Sequence, residues 1–289
     1  MKIAYYPGCS LNASSKLYDV QTKTVFSKVG IELSEIEDWN CCGATSAGKQ
    51  DDFLAIALPA RNLGIADATG LPEIMIPCSS CYSRTLVSQK TLERDPKLKA
   101  EINTGLAKKV EGKIKVSNIL EVLLSKKNEI AEKAIKKLAG LKPACYYGCL
   151  LTRFPADVPV TDNVENPVAM EGILKSIGAE PLDWGYKTDC CGASASVNDA
   201  DTALKLMSKI FKDAIARDAN CFVTTCPMCQ LNLDAYQDEV RGKYGTAKSL
   251  PVYFITELIG ISMGMGAEQM QIDRHFTDAV GLLKELKLL

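Results

Sequence analysis

Cys41-Cys42-Gly43-Ala44 and Cys190-Cys191-Gly192-Ala193 are one tetrapeptide written twice, about half a chain apart. Each follows a tryptophan, Trp39 and Trp184. Upstream, Tyr5-Tyr6-Pro7-Gly8-Cys9 recurs as Tyr146-Tyr147-Gly148-Cys149, one residue shorter. Downstream, Cys78-Ser79-Ser80-Cys81 recurs as Cys226-Pro227-Met228-Cys229. Agreement in the same order at three separate places is the mark of an internal duplication. The copies differ chiefly between Trp184 and Cys190, where residues 185–188 are surplus.

The intervening segments repeat as well. Residues 2–6 and 144–147 are short β-prone runs that each end at a Gly-Cys turn. Residues 51–67 have helical apolar spacing, with Pro59 as a kink or restart; residues 199–216 repeat it with one clean face of Leu204, Met207, Ile210, Phe211, Ala214 and Ile215. Residues 73–76 and 222–225 read as buried strands that lead into the Cys-x-x-Cys pairs. A further strand–helix unit closes each half, at 114–117 with 119–124 and at 252–255 with 257–261. Strands alternating with helices predict an α/β layer with largely parallel pairing in each half.

Residues 125–139 read as a Lys/Glu-rich amphipathic helix stopped by Gly140 and Pro143, which places the boundary near residue 140. The expected division is 1–140, 141–262 and a helical tail, 263–289. The polar stretch 95–112 reads as a solvated excursion. The tail's Met263, Met265 and Met270 suit packing on the body or on a partner.

The chain has 289 residues, 47% of them hydrophobic and 24% charged, which excludes a disordered or collagen-like chain. With 34 basic against 35 acidic residues and no basic block, it lacks an electrostatic footprint for nucleic acid. No secretory signal and no apolar run long enough to span a membrane is read, so a cytoplasmic protein is expected. In that compartment clustered thiols mean metal or redox chemistry rather than disulfides.

Ten of the twelve cysteines form two sets of five: Cys9, Cys41, Cys42, Cys78 and Cys81, then Cys149, Cys190, Cys191, Cys226 and Cys229. A Cys-x-x-Cys at a strand end presents two thiolates to one point, as soft metals require. Adjacent cysteines share a site only in a turn or at a helix start, since in a strand they face opposite ways. Zinc and an ordinary iron–sulfur cubane each take four ligands, so five point to an unusual cluster or to four ligands and a spare. Iron–sulfur chemistry fits best, with zinc and disulfides as the alternatives. Cys145 and Cys221 fall outside both sets and read as buried core thiols. Trp39 and Trp184 suit either shielding of the site or plain packing. Lys49, Arg84, Arg153 and Lys187 lie near the cysteines in sequence and are candidate anion partners. The only histidine, His275, reads as a surface or packing residue. No dinucleotide or P-loop fingerprint is present.

This arrangement resembles the CCG-domain family, and two such domains in one chain resemble the B subunits of heterodisulfide reductases of methanogenic archaea. The resemblance covers about residues 1–260. It implies two pseudo-symmetric, Rossmann-like α/β CCG domains with mostly parallel sheets, each binding a non-cubane [4Fe–4S] cluster through its five cysteines. It implies oxidoreductase activity in methanogenesis: reduction of the coenzyme M–coenzyme B disulfide to two thiols, with two clusters flanking the S–S bond and each delivering one electron. No Cys-x-x-Cys-x-x-Cys run for a transfer cubane is present, so electrons must arrive from partners. The resemblance makes these an iron–sulfur subunit and a flavin-containing subunit, often joined to a hydrogenase. Redox subunits of a thiol-dependent fumarate reductase or of a lactate- or glycolate-oxidising complex, and a zinc-stabilised scaffold, are the alternatives.

Overall fold

The computed structural model describes residues 1–44, 46–153 and 162–289. Four strands, β1 (Lys2–Tyr5), β2 (Glu32–Glu35), β3 (Glu73–Ile76) and β4 (Lys115–Asn118), form an all-parallel sheet in the order β2-β1-β3-β4. Three more, β5 (Pro143–Tyr146), β6 (Cys221–Thr224) and β7 (Val252–Phe254), form a second parallel sheet in the order β5-β6-β7. The duplicated α/β layers expected from the repeat are therefore present. In a doubly wound sheet, the chain leaves neighbouring strands in opposite directions at the switch point and opens a crevice beyond their carboxyl ends. Here that crevice lies between β1 and β3, whose next residues lead to Cys9 and Cys78.

Several elements escaped the sequence reading, among them the helices Lys16–Lys28, Ser79–Arg94 and Ala169–Ser176 and the edge strand β2. β2 is an edge strand of sequence Glu-Leu-Ser-Glu with no fully buried residue, so it carries no apolar signal. Its counterpart in the second half is only a fragment of a ladder: Glu180 N–H donates to Leu141 O at 2.8 Å and Leu182 N–H to Pro143 O at 3.0 Å.

Two of the long helices match expectation. Asp52–Asp67 is capped by the Asp51 carboxylate, which accepts from Phe53 N–H at 2.7 Å, and the helix runs through Pro59 without ending. Ala200–Ala216 is capped by Asp199 and buries Met207, Ile210, Phe211 and Ala214. The helix expected over 125–139 is shorter: Lys127–Lys133 is helical and the chain then turns extended. Tertiary bonds replace the helical ones there, since Lys136 N–H donates to Ser262 O and Leu138 N–H to Ile177 O. The stretch 95–112 is no loose excursion either. Asp95 caps a helix, Pro96–Gly105; Ile102 and Val110 are buried; and the Asp67 carboxylate accepts the N–H groups of Glu111, Gly112, Lys113 and Ile114.

The larger apolar cluster crosses the boundary near residue 140, while a second lies wholly within the second half. One continuous cluster joins Ile3, Tyr18, Phe26 and Ile76 to Cys145, Tyr147, Phe254 and Leu258, and includes Met265, Met270 and Leu283 of the tail. Tyr18 stacks on Phe254 with centroids 3.9 Å apart. The buried Gln21 amide donates to Glu257 Oε1 at 2.8 Å and to Met270 O at 2.6 Å, and His275 Nε2 sits 2.8 Å from the same Glu257 oxygen. The tail thus docks on the body, and His275 is a packing residue with its side chain sealed from solvent. Among the described residues no helix is long and apolar enough to cross a membrane.

Candidate redox site

Each set of five thiols gathers from three places, and the backbone explains how. After β1 and after β5 a glycine at positive φ, Gly8 at 74° and Gly148 at 68°, turns the chain. A Cβ on Gly8 would stand 2.7 Å from Cys81 Sγ, and one on Gly148 would stand 3.0 Å from Cys229 Sγ. Only a residue without a side chain fits where the turn backs onto the Cys-x-x-Cys. Two residues beyond the ends of β3 and β6 stand Cys78 and Cys226, extended residues at the N-cap positions of the helices Ser79–Arg94 and Pro227–Ala235. The positive ends of those helices favour thiolates placed there. The adjacent pairs sit in irregular backbone outside any strand, each followed by a glycine at positive φ.

The resulting geometry is repeated. Cys42 Sγ lies 3.3 Å from Cys81 Sγ, and Cys191 Sγ lies 3.6 Å from Cys229 Sγ. Cys9 Sγ lies 3.8 Å from Cys41 Sγ. Cys149 and Cys190 meet in the second half, where Gly192 N–H donates to Cys190 Sγ at 3.3 Å. Hydrogen bonding from Cys149, then the Gly192 N–H and the nearby Arg153, hold Cys190 at about 6 against the pull of burial. Hydrogen bonding from Cys81 likewise brings Cys42 down to about 7, with Ala44 N–H and Arg84 helping. The two sets also touch: Cys78 and Cys226 face each other closely enough to shift one another's ionisation. Among the described residues no three ligand side chains close on a single point as one metal ion requires. The thiols stand instead as spaced pairs around a volume.

That donor set fits an iron–sulfur cluster. Five soft thiols without a histidine, partly sealed from water and backed by helix N-termini and backbone N–H groups, are what a polynuclear iron–sulfur group takes.

A cavity of about 240 Å³ opens over the second set. All five of its thiols line one side, and Lys49, Ser79, Ser80 and Arg84 of the first half line the other. Two of the four candidate cations therefore reach the cavity. Lys187 does not. It is buried, 2.8 Å from Glu171 Oε1, and Tyr147 donates to the other oxygen of that carboxylate. Tyr147 N–H and Gly148 N–H both donate to Lys187 O, so the surplus residues 185–188 brace the Cys149 turn. Arg153 is exposed and 3.7 Å from Asp189.

Cys145 and Cys221 are buried strand residues whose thiols burial pushes up, as core thiols. Trp39 packs edge-on against Tyr6, and buried Trp184 donates to Cys145 O at 3.0 Å. Behind the adjacent pairs, Tyr6 donates to Asn40 O and Tyr146 to Asp189 O. Tyr6 and Tyr146 are therefore true counterparts, and Tyr147 stands where the first half has Pro7. Sequence reading missed Glu171, whose only signal was a lone acid on an otherwise apolar helix face.

The model of the cysteine-rich domain, CCG, matches residues 3–84 and 143–234, and the chain belongs to that family. It is 32% identical over 284 residues to the 8-methylmenaquinol:fumarate reductase membrane anchor subunit of Wolinella succinogenes, covering 97% of this chain and 99% of the relative. It is 27% identical over 295 residues to the B subunit of the ferredoxin/F(420)H(2)-dependent CoB-CoM heterodisulfide reductase of Methanosarcina acetivorans, covering 99% and 97%. The expected likeness to the B subunits of heterodisulfide reductases is borne out. A hypothetical protein from Helicobacter pylori has the same fold, with a TM-score of 0.71 at 14% identity; the match covers 95% of this chain and 51% of that one.

Proposed function

We propose that this chain is a redox subunit of an oxidoreductase complex, that its ten paired cysteines hold two iron–sulfur clusters, and that a small disulfide of the coenzyme M–coenzyme B kind is reduced beside them. One observation carries the reading: two copies of a five-thiol site sit at the carboxyl edges of two sheets and meet through Cys78 and Cys226. Cys9, Cys41, Cys42, Cys78 and Cys81 would hold one cluster, and Cys149, Cys190, Cys191, Cys226 and Cys229 the other. Five thiols in each set favour a non-cubane [4Fe–4S] form over one with four ligands. An iron–sulfur cluster supplies one electron at a time, and a disulfide needs two. The rest is work for the protein. Gly8 and Gly148 bring the turns against the Cys-x-x-Cys thiols, Tyr6 and Tyr146 fix the loops that carry the adjacent pairs, and the shared core keeps water from the inner thiols. Protons for the product thiolates come from solvent through the open cavity, since His275 lies sealed in the tail.

The relative from Wolinella succinogenes favours a second reading, in which the same thiols would hold clusters that pass electrons within a quinol:fumarate reductase complex. Either way the electrons come from partner subunits, and attachment to a membrane would be through such a partner. Anaerobic purification with iron, sulfide and zinc analysis, followed by assay of coenzyme M–coenzyme B disulfide with a reduced dye, tests the proposal. About eight irons per chain and disulfide-dependent dye oxidation are expected. Iron without disulfide turnover, but with fumarate reduction once partners are added, gives the second reading. A colourless zinc protein overturns both.

A further inference from the structure

The halves repeat their thiols but not their charges, and the difference falls on the cavity. Counted from Cys81 and Cys229, the first half has Arg84 where the second has Asn232; counted from Cys42 and Cys191, it has Lys49 where the second has Asn198. The backbone is common to both. Ser46 N–H donates to Gly43 O as Ala195 N–H does to Gly192 O, and Lys49 N–H to Ser46 O as Asn198 N–H does to Ala195 O. Arg84 Nη2 donates to Ala44 O at 3.1 Å, and Asn232 Nδ2 donates to Cys191 O at 2.7 Å. The matching helix position thus holds a cation in one half and a neutral amide in the other, each donating to the loop that carries the adjacent cysteines, though at different carbonyls.

The consequence is one-sided. Arg84, with Lys49 and the hydroxyls of Ser79 and Ser80, faces the second thiol set across the cavity. The residues matching Ser79 and Ser80 are Pro227 and Met228, and Met228 Sδ lies 3.9 Å from Ser10 Oγ on the side of the first set. One direction along the cavity is cationic and hydroxylated, the other neutral and apolar. Arg84 spends one N–H on Ala44 O, and its fork has further donors, while the Lys49 side chain is exposed. The carboxylate in the adjoining groove, Asp52, does not line the cavity.

We propose that Lys49 and Arg84 form an anion seat over the second thiol set and orient an asymmetric disulfide, a sulfonate on one half lying there and the other half lying toward Met228. This rests on the reading of the cavity as the place of disulfide reduction. It adds a direction to a site that the duplication alone would leave symmetric.

The test is anaerobic titration calorimetry on the cluster-loaded full chain with two thiols of similar size, 2-mercaptoethanesulfonate and neutral 2-mercaptoethanol. A charge-assisted contact predicts that the sulfonate binds about tenfold tighter or more. Arg84→Gln and Lys49→Gln should each weaken the sulfonate about tenfold and leave the neutral thiol unchanged, while Arg84→Lys keeps much of the preference. Lys49 is on the surface, so its variant carries the test even where the Arg84 variant loads poorly. Equal affinity of the two thiols, or equal losses for both in the variants, overturns the anion seat but leaves disulfide chemistry standing. If neither thiol binds, the disulfide reading falls with it.

Discussion

The first half of the molecule has a four-stranded sheet and an exposed outer thiol pair. The second has three strands, a more enclosed outer pair and a buried Lys187–Glu171–Tyr147 brace behind Cys149. What duplication kept is the thiol geometry and the glycine turns. What diverged is the support around them. Thiols that converge on one place leave little room to move, whereas their scaffolding is free to change as long as the turn is held.

The largest test of that comparison removes one thiol from each half. Cys81→Ser and Cys229→Ser should each lower the iron content by about half if the sites are equivalent and independent, as chemical analysis would show. Loss of nearly all iron in either variant would mean that the contact of Cys78 with Cys226 makes one site of two. Next in size is the brace. Lys187→Met leaves Glu171 buried and uncompensated, and should cost about 3–5 kcal/mol in denaturant unfolding; the double variant Lys187→Met/Glu171→Gln should recover much of it. No such loss in the single variant would deny the brace its role. Smaller again, Gly8→Ala and Gly148→Ala must place a Cβ against Sγ at positive φ, for about 1–3 kcal/mol each. The first should suffer more, because its clearance is 2.7 Å against 3.0 Å.

The smallest effect concerns pH. Burial pulls the His275 pKa down, but the Glu257 carboxylate outweighs it and the net shift is upward from 6.5. A raised folded pKa means stability that is fully present below 6.5 and lost as pH rises through the folded value. Unfolding free energies measured from acid to mildly alkaline pH should decline across that window, and His275→Gln should flatten the decline.

Much of this was open to sequence reading because the cysteines mark the chain at the points where strands end. β1, β3, β5 and β6 are short apolar runs that feed glycine turns or Cys-x-x-Cys pairs, so order and spacing placed them. β2 was illegible because an exposed edge strand carries no apolar run. Lys187 misled because nearness to the cysteines in sequence does not show which carboxylate a cation meets, and Glu171 belongs to a different element. The helix over 125–139 came out short for a similar reason: its composition suits a helix, but the bonds that end it come from Ser262 and Ile177. Within the site, the sequence placed the ten thiols but could not show that Lys49 and Arg84 reach across to the other half's set.

The stacking of Tyr18 on Phe254 and the Gln21–Glu257–His275 belt have an evolutionary consequence. An ancestral single-domain protein would have paired two identical copies, and each copy's face would have met its twin. Once fused, the two faces specialised for each other: an amide and a tyrosine on one, a carboxylate and a phenylalanine on the other. Tyr18 and Gln21 on one face meet Phe254 and Glu257 on the other, so a copy of either half would not reproduce this seam. The fusion acts as a ratchet, and a lineage that had crossed it could not return to a homodimer without first rebuilding that buried seam.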